Sequence, residues 1–267
     1  MHFEQIQLTK VQMATGGAIG RITLQRPAER NAMTPLMGRE IVRAVEDLNA
    51  DDAVRVVVIT GAGKGFCSGA DLRTLGAEAG SGEDAEGLGG GENFYRAFLS
   101  IRDLRVPSIA AINGHAIGAG FCFSLGADLR VIHRDAKVGM TFVRLGIHPG
   151  MAATWTLPRL VGPSIAADLL YTGRLIGAEE ALTLGVANRI AGDDFEAVVE
   201  ELATAIASAA PLAVRGTKES LRGSESRTIA EALHREATVQ AETFTTTDAA
   251  EGIQAMREKR PPVFRGQ

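Results

Sequence analysis

The stretch Val54-Arg55-Val56-Val57-Val58-Ile59-Thr60 limits what this chain can fold into more than any other. It is a nearly unbroken β-branched run of the kind found in strands covered on both faces, which occur in largely parallel sheets flanked by helices. The residues before it supply such a helix. Thr34 and Pro35 offer an N-cap and a first-turn proline, and Met37, Ile41, Val45 and Leu48 recur every three or four residues, so the pattern predicts a helix over 35–49. Upstream, FEQIQLTKVQM and AIGRITLQ flank Ala14-Thr15-Gly16-Gly17 and read as a hairpin that ends at Arg26-Pro27. Downstream, Pro107–Asn113 and Ala127–His133 read as further strands separated by helical or glycine-rich segments, the order of a βαβ protein. After about residue 160 the helical patterns are Pro163–Tyr171, Ala178–Leu184, Phe195–Ala209, Leu212–Leu221, Thr228–Phe244 and Ala249–Glu258. The expectation is an α/β core over 1–195 and a C-terminal helical region over 196–267.

Composition removes several classes of function. The 267 residues carry 28 Lys+Arg against 32 Asp+Glu, a formal charge of −4, which gives no field to hold nucleic acid or an acidic membrane. Cys67 and Cys122 are too few for a disulfide framework or a structural zinc site, and they fit a reducing cytoplasm. No metal site is expected. The start MHFEQIQLTK lacks the basic and then apolar order of a signal peptide, and no run reaches the roughly 18 apolar residues that a membrane span needs, so a soluble, unprocessed protein is expected.

Glycine-rich turns are where chemistry is to be sought. Gly61-Ala62-Gly63-Lys64-Gly65-Phe66 follows the Val54–Thr60 run, where a phosphate loop would sit, but Phe66 replaces the third glycine of a dinucleotide fingerprint and Gly65 the Ser or Thr of a P-loop. More informative are Ser68-Gly69-Ala70-Asp71-Leu72 and Gly114-His115-Ala116-Ile117-Gly118-Ala119-Gly120, two small-residue turns that each leave a strand and are expected to enter a helix. Such turns expose unpaired N–H groups, and two aimed at one point make an oxyanion hole, although each turn taken alone is more readily explained by tight helix–sheet packing. Between them Gly76–Gly91, GAEAGSGEDAEGLGGG, reads as a loop, either a tolerated insertion or a lid.

Taken in order, these residues resemble the enoyl-CoA hydratase/isomerase, or crotonase, family nearly end to end. The likeness includes Leu24-Gln25-Arg26-Pro27, Asn31-Ala32-Met33, Phe66 to Leu72, Ile112 to Gly120, Pro158 to Gly162, Leu170 to Gly173, Gly185-Val186-Ala187 and Glu251 to Met256 with Glu258-Lys259-Arg260. The resemblance implies a crotonase-like spiral of ββα turns with a C-terminal helical trimerisation region, assembled as a homotrimer or as a hexamer made of two trimers. It implies an acyl-CoA thioester as substrate and no further cofactor. The backbone N–H groups of Ala70 and Ala119 would hold the thioester oxygen as an enolate forms. Ala70, Asp71 and Leu72 would line the CoA beside Arg30, Lys64 and Arg73, with Lys259 reaching it from a neighbouring subunit.

The family's hydratases use two glutamates, and neither is here. Cys122 stands at the first position and Phe142 at the second, and Gly150 follows Pro149 where the isomerases often place an acid. Cys122 reads as a packing residue in an apolar segment. His148 is the nearest titratable group in that motif and His115 lies in the second turn, although either suits a local hydrogen bond as well as proton transfer. Glu83, Asp84, Glu86 and Glu92 would reach a site only if the loop closes over it. Three functions follow: an enoyl-CoA hydratase with an unusual acid/base set, an enzyme of another acyl-CoA reaction (isomerisation, thioester hydrolysis or C–C cleavage), or a non-catalytic acyl-CoA binder.

Overall fold

The structure, a computed structural model, describes residues 2–14, 16–71 and 91–267. Six strands form the main sheet in the spatial order β1 (Ile6–Gln12), β2 (Ala18–Leu24), β3 (Val54–Gly61), β5 (Ser108–Ile112), β7 (Leu129–His133) and β10 (Arg189–Ala191). The first two are the expected hairpin, antiparallel with Ile6 opposite Leu24, and every later pairing in this sheet is parallel. A second sheet is built from very short strands, β4 (Gly65–Cys67), β6 (His115–Ile117), β8 (Lys137–Gly139) and β9 (Ile176–Gly177). The helices among the described residues are α1 (Pro35–Asn49), α2 (Gly91–Leu99), α3 (Ala119–Ser124), α4 (Ala153–Val161), α5 (Pro163–Thr172), α6 (Ala178–Thr183), α7 (Phe195–Ala207), α8 (Pro211–Arg222), α9 (Ile229–Phe244) and α10 (Thr247–Glu258).

Every residue of β3 is buried, as a strand covered on both faces requires. Val57 and Ile59 face a large core with Met37, Ile41, Val45 and Leu48 of α1, while Val56 and Val58 face a smaller one with Phe195, Val199, Ala203 and Ala207 of α7. Helix α1 begins where the sequence places it, with the Thr34 hydroxyl accepting from the Met37 N–H at 3.1 Å. Helix α7 therefore forms one of the layers over the sheet, and Arg55 adds a link there by donating to the carbonyls of Ala207 and Phe264. Beyond Ala207 the packing loosens, and α9 buries none of its residues.

Three features differ from the sequence reading. Helix α4 was not anticipated, because Pro158 inside it reads as a breaker. His115–Ile117 is a strand and not part of a turn, because three residues are too few to show an alternation. Gly91 and Glu92 were assigned to the long loop, yet they open α2, where Glu92 is engaged by Arg96 one turn on, so Glu92 is not a loop acid. The remainder of that segment, with Glu83, Asp84 and Glu86, lies outside the described residues.

Helix α8 is fastened to the starts of β5 and β7 by one ion pair. Lys218 Nζ donates to Asp128 Oδ2 at 2.7 Å, and the same carboxylate accepts from the N–H and hydroxyl of Ser108 at 2.7 and 2.8 Å. Burial pushes Lys218 down to about 8 against the pull of Asp128. Burial also pushes the Asp128 carboxyl up, but the Lys218 charge and the bonds from Lys218 and Ser108 outweigh it and leave the group below its ordinary value. A depressed native carboxyl stabilises the fold above its unfolded pKa of about 4 and loses that contribution as pH falls through the lower native value. Over that range Lys218 is protonated in both states and adds no slope. Asp128→Asn is expected to cost about 2 kcal/mol at pH 7, less than a fully buried pair because Asp128 is partly exposed, and to flatten the stability profile below pH 4. Urea unfolding across pH checks both effects; an unchanged midpoint at neutral pH rejects the role.

Candidate active site

Parallel pairing brings the two small-residue turns together. Strands β3 and β5 are neighbours, and the strands that follow them, β4 and β6, pair in parallel with Gly65 beside His115 and Cys67 beside Ala116. The turns after β4 and β6 must then leave side by side. Glycine lets them touch: a Cβ on Gly69 would lie 2.8 Å from the Ile117 carbonyl and 3.4 Å from the Ala119 nitrogen, and one on Gly120 would lie 2.4 Å from the Cys67 carbonyl.

Two asparagines fix the approach. Buried Asn31 donates through Nδ2 to the carbonyls of Ala62 and Gly65, both at 2.9 Å, and its Oδ1 accepts from the Arg26 N–H. Arg30 and Asn31 are both left-handed, with φ of 52° and 55°, a conformation costly for residues other than glycine. In return the Arg30 carbonyl accepts from Ser68 N–H, and Met33 brackets Ala70 by donating to the Gly69 carbonyl and accepting from Asp71 N–H. Asn113 ties the other side, donating to the carbonyls of Gly61 and Gly63 at 2.9 and 3.0 Å. Both asparagines sit inside sequence motifs that point to no role for them; only a run of turns needing carbonyl partners signals one.

That bracketing leaves the Ala70 N–H on the side away from Met33, and Ala119 opens α3, where a first-turn N–H has no partner within the helix. Neither N–H has a hydrogen-bond acceptor among the described residues. Two adjoining clefts lie nearby, and Ala70 lines one of them and Ala119 neither. Pro27, Arg30, Lys64, Ser68, His115 and Ile117 line one of about 490 Å³; Glu29, Arg30, Ser68, Ala70, Asp71 and Ile117 are among those lining the other, of about 450 Å³. Arg30 and Lys64 have no carboxylate partner among the described residues, so two unneutralised cations face this space.

The other sequence candidates are placed as follows. Asp71 is buried and pairs with Arg26 at 3.3 Å, so its carboxylate is committed to holding the turn. His115 is exposed and its Nδ1 accepts from the Lys137 N–H at 3.0 Å; His148 is exposed on the loop after β8, with Nδ1 2.8 Å from the Pro149 carbonyl oxygen. His148 lines neither cleft, and nor does Lys259, the left-handed C-cap of α10. Burial pushes the Cys122 thiol far up, and Cys67 up to about 12, so neither is a thiolate at neutral pH. Phe142 packs against the core. Gly150 abuts Tyr95, since a Cβ there would lie 2.5 Å from the phenol oxygen. Leu72 and Arg73 lie outside the described residues.

Comparison with known proteins decides the family. The family model described as enoyl-CoA hydratase/isomerase matches residues 14–267. The chain belongs to that family. Among its relatives, a Thermus thermophilus protein provisionally named enoyl-CoA hydratase is 39% identical over 93% of this chain and 98% of its own length. Carnitinyl-CoA dehydratase of Proteus mirabilis is 35% identical over 96% of this chain and 98% of its own. The crystal structure of an enoyl-CoA hydratase from Bacillus anthracis superposes with a TM-score of 0.88 at 33% identity, covering 99% of this chain and 100% of that one. The fold is the crotonase fold expected from the sequence.

The glycine contact is open to test. Gly69→Ala adds a methyl at φ 94° against the Ile117 carbonyl, whereas Gly146→Ala adds one at φ 73° with nothing within 4 Å. Backbone strain alone predicts a loss of about 1 kcal/mol at Gly146; strain plus the clash predicts at least about 2 kcal/mol at Gly69. Equal shifts in urea midpoint would show that the two turns are not in contact.

Proposed function

We propose that this protein binds an acyl-CoA thioester across the two clefts, with the Ala70 and Ala119 N–H groups receiving the thioester oxygen as it gains enolate charge. The observation that carries this reading is the pair of unpartnered main-chain donors on touching turns, with Ala70 and Arg30 lining one cleft and Arg30 and Lys64 the adjoining one. Donors held by the backbone need no reorganisation as charge develops, and the two cations suit the phosphates of CoA. Ala70 and Asp71, which line the second cleft, and Leu72 and Arg73 of the same sequence motif would then contact the CoA. Enoyl-CoA hydration is the leading reaction, in keeping with the names of the relatives.

A second reading rests on a specific observation. Cys122 is a buried thiol and Phe142 a packed ring, so neither carries the proton that hydration moves. This favours another acyl-CoA reaction, isomerisation, thioester hydrolysis or C–C cleavage, or binding without turnover, with His148 a proton carrier only if its loop turns inward.

The reading extends to assembly. Ile229, Leu233 and Phe244 on α9 are 81%, 62% and 66% exposed in the single chain, more apolar surface than one helix usually leaves in water. A homotrimer, or two trimers back to back, would cover it and let Lys259 approach a neighbour's CoA. The two buried free thiols suit a cytoplasmic setting.

Calorimetry with CoA and crotonyl-CoA tests the binding claim. Arg30→Ala and Lys64→Ala are each expected to weaken both ligands about tenfold, the loss of one charge-assisted contact of about 1.4 kcal/mol. Unchanged affinity in both variants overturns the placement. Appearance of 3-hydroxybutyryl-CoA from crotonyl-CoA, absent in a blank, assigns hydration; no such product leaves the second reading.

A further inference from the structure

A further cavity, of about 550 Å³, opens at the other end of the main sheet from the two clefts. Pro107, just before β5, and Leu129, the first residue of β7, line it, whereas the clefts are lined by Ser68 and Ile117, beyond the far ends of β3 and β5. The length of β5, five residues or roughly 16 Å, separates the two places. The remaining walls belong to α7 and α8. Val214, Lys218, Leu221 and Arg222 recur at intervals of three and four residues or adjoin one another, so they share one face of α8, and Ile206 of α7 lines the same space. Leu221 is 67% exposed, so this face leaves apolar surface in water.

The polar end of this cavity carries more positive charge than its own carboxylates neutralise. Lys218 is buried and committed, donating to Asp128 and to the Val106 carbonyl. Arg222 makes no hydrogen bond or ion pair among the described residues, and the charges that reach it are those of Asp128, Arg102, Asp103 and Glu219. Asp128 is taken by Lys218 and Glu219 by Arg235. Arg102 lies over the Trp155 ring, 5.1 Å from its centre, and has no carboxylate partner among the described residues. Two guanidinium groups, Arg102 and Arg222, are thus set against the one carboxylate of Asp103. A single unit of positive charge is left over at the mouth of an apolar cavity, and a single anion with a hydrocarbon tail completes both parts.

We propose that this cavity binds an unbranched monocarboxylate, a medium-chain fatty acid, with its carboxylate on Arg222 and its chain along Leu129, Ile206, Val214 and Leu221. The excess of one charge favours a carboxylate over a phosphate dianion, and the apolar walls favour a chain over a small polar acid. No covalent bond forms or breaks: the carboxylate replaces water at a guanidinium and the chain leaves water for the helix faces. The site is separate from the clefts and does not depend on the acyl-CoA reading.

Calorimetry of the intact protein with decanoate and 1-decanol tests this. The wild type is expected to take one decanoate per chain, about tenfold tighter than the alcohol, the scale of one charge-assisted contact. Arg222→Gln is expected to erase that ratio by weakening decanoate alone. Ala205→Trp, at an exposed position of α7 that lines the cavity, fills it without disturbing the core and is expected to weaken both ligands at least tenfold while keeping the urea midpoint of the wild type. Decanoate binding that is unchanged in both variants puts the chain elsewhere on the protein and overturns the proposal. A wild type that binds no decanoate, the result expected if a second copy of the chain covers this face, overturns it as well.

Discussion

The contact between two backbone turns governs this molecule. Gly69 and Gly120 allow the segment after β4 and the segment after β6 to approach within van der Waals distance, and parallel pairing of β3 with β5 and of β4 with β6 forces them into register. A side chain at either glycine would separate them. Much of the surrounding hydrogen bonding, from Asn31, Met33 and Asn113, serves to hold that approach. The cost appears as consecutive left-handed residues at Arg30 and Asn31, a strain that the Asn31 bonds offset.

Charge is arranged around this contact in two ways. Arg26 and Asp71 neutralise each other inside the turn, so the structure is held without adding net charge to the cleft. Arg30 and Lys64 have no such partner and leave the adjacent space positive although the whole chain is negative. In a space of that kind an anion is attracted locally while the distant surface repels it.

Much of the fold was legible in the sequence, for identifiable reasons. Helix α1 could be read to the residue because Thr34 and Pro35 mark its start and an apolar stripe its extent, and β3 because an unbroken β-branched run has few other uses. The strands of the small sheet could not be read, since two or three residues carry no period, and α4 was hidden by Pro158. At the site, the turn residues and cations could be named, whereas the part played by Asn31 depends on carbonyls more than 30 residues away.

The donors at Ala70 and Ala119 belong to the main chain, and this has an evolutionary side. Only proline removes a backbone N–H, so nearly any mutation at those two positions keeps the donor. The side chains at 122, 142 and 150 enjoy no such protection and can be exchanged one by one. If those donors hold a ligand oxygen as proposed, such a scaffold can retain that grip while the identity of the groups around the rest of the ligand drifts, so ancestry is written in the peptide bonds and the reaction in the side chains.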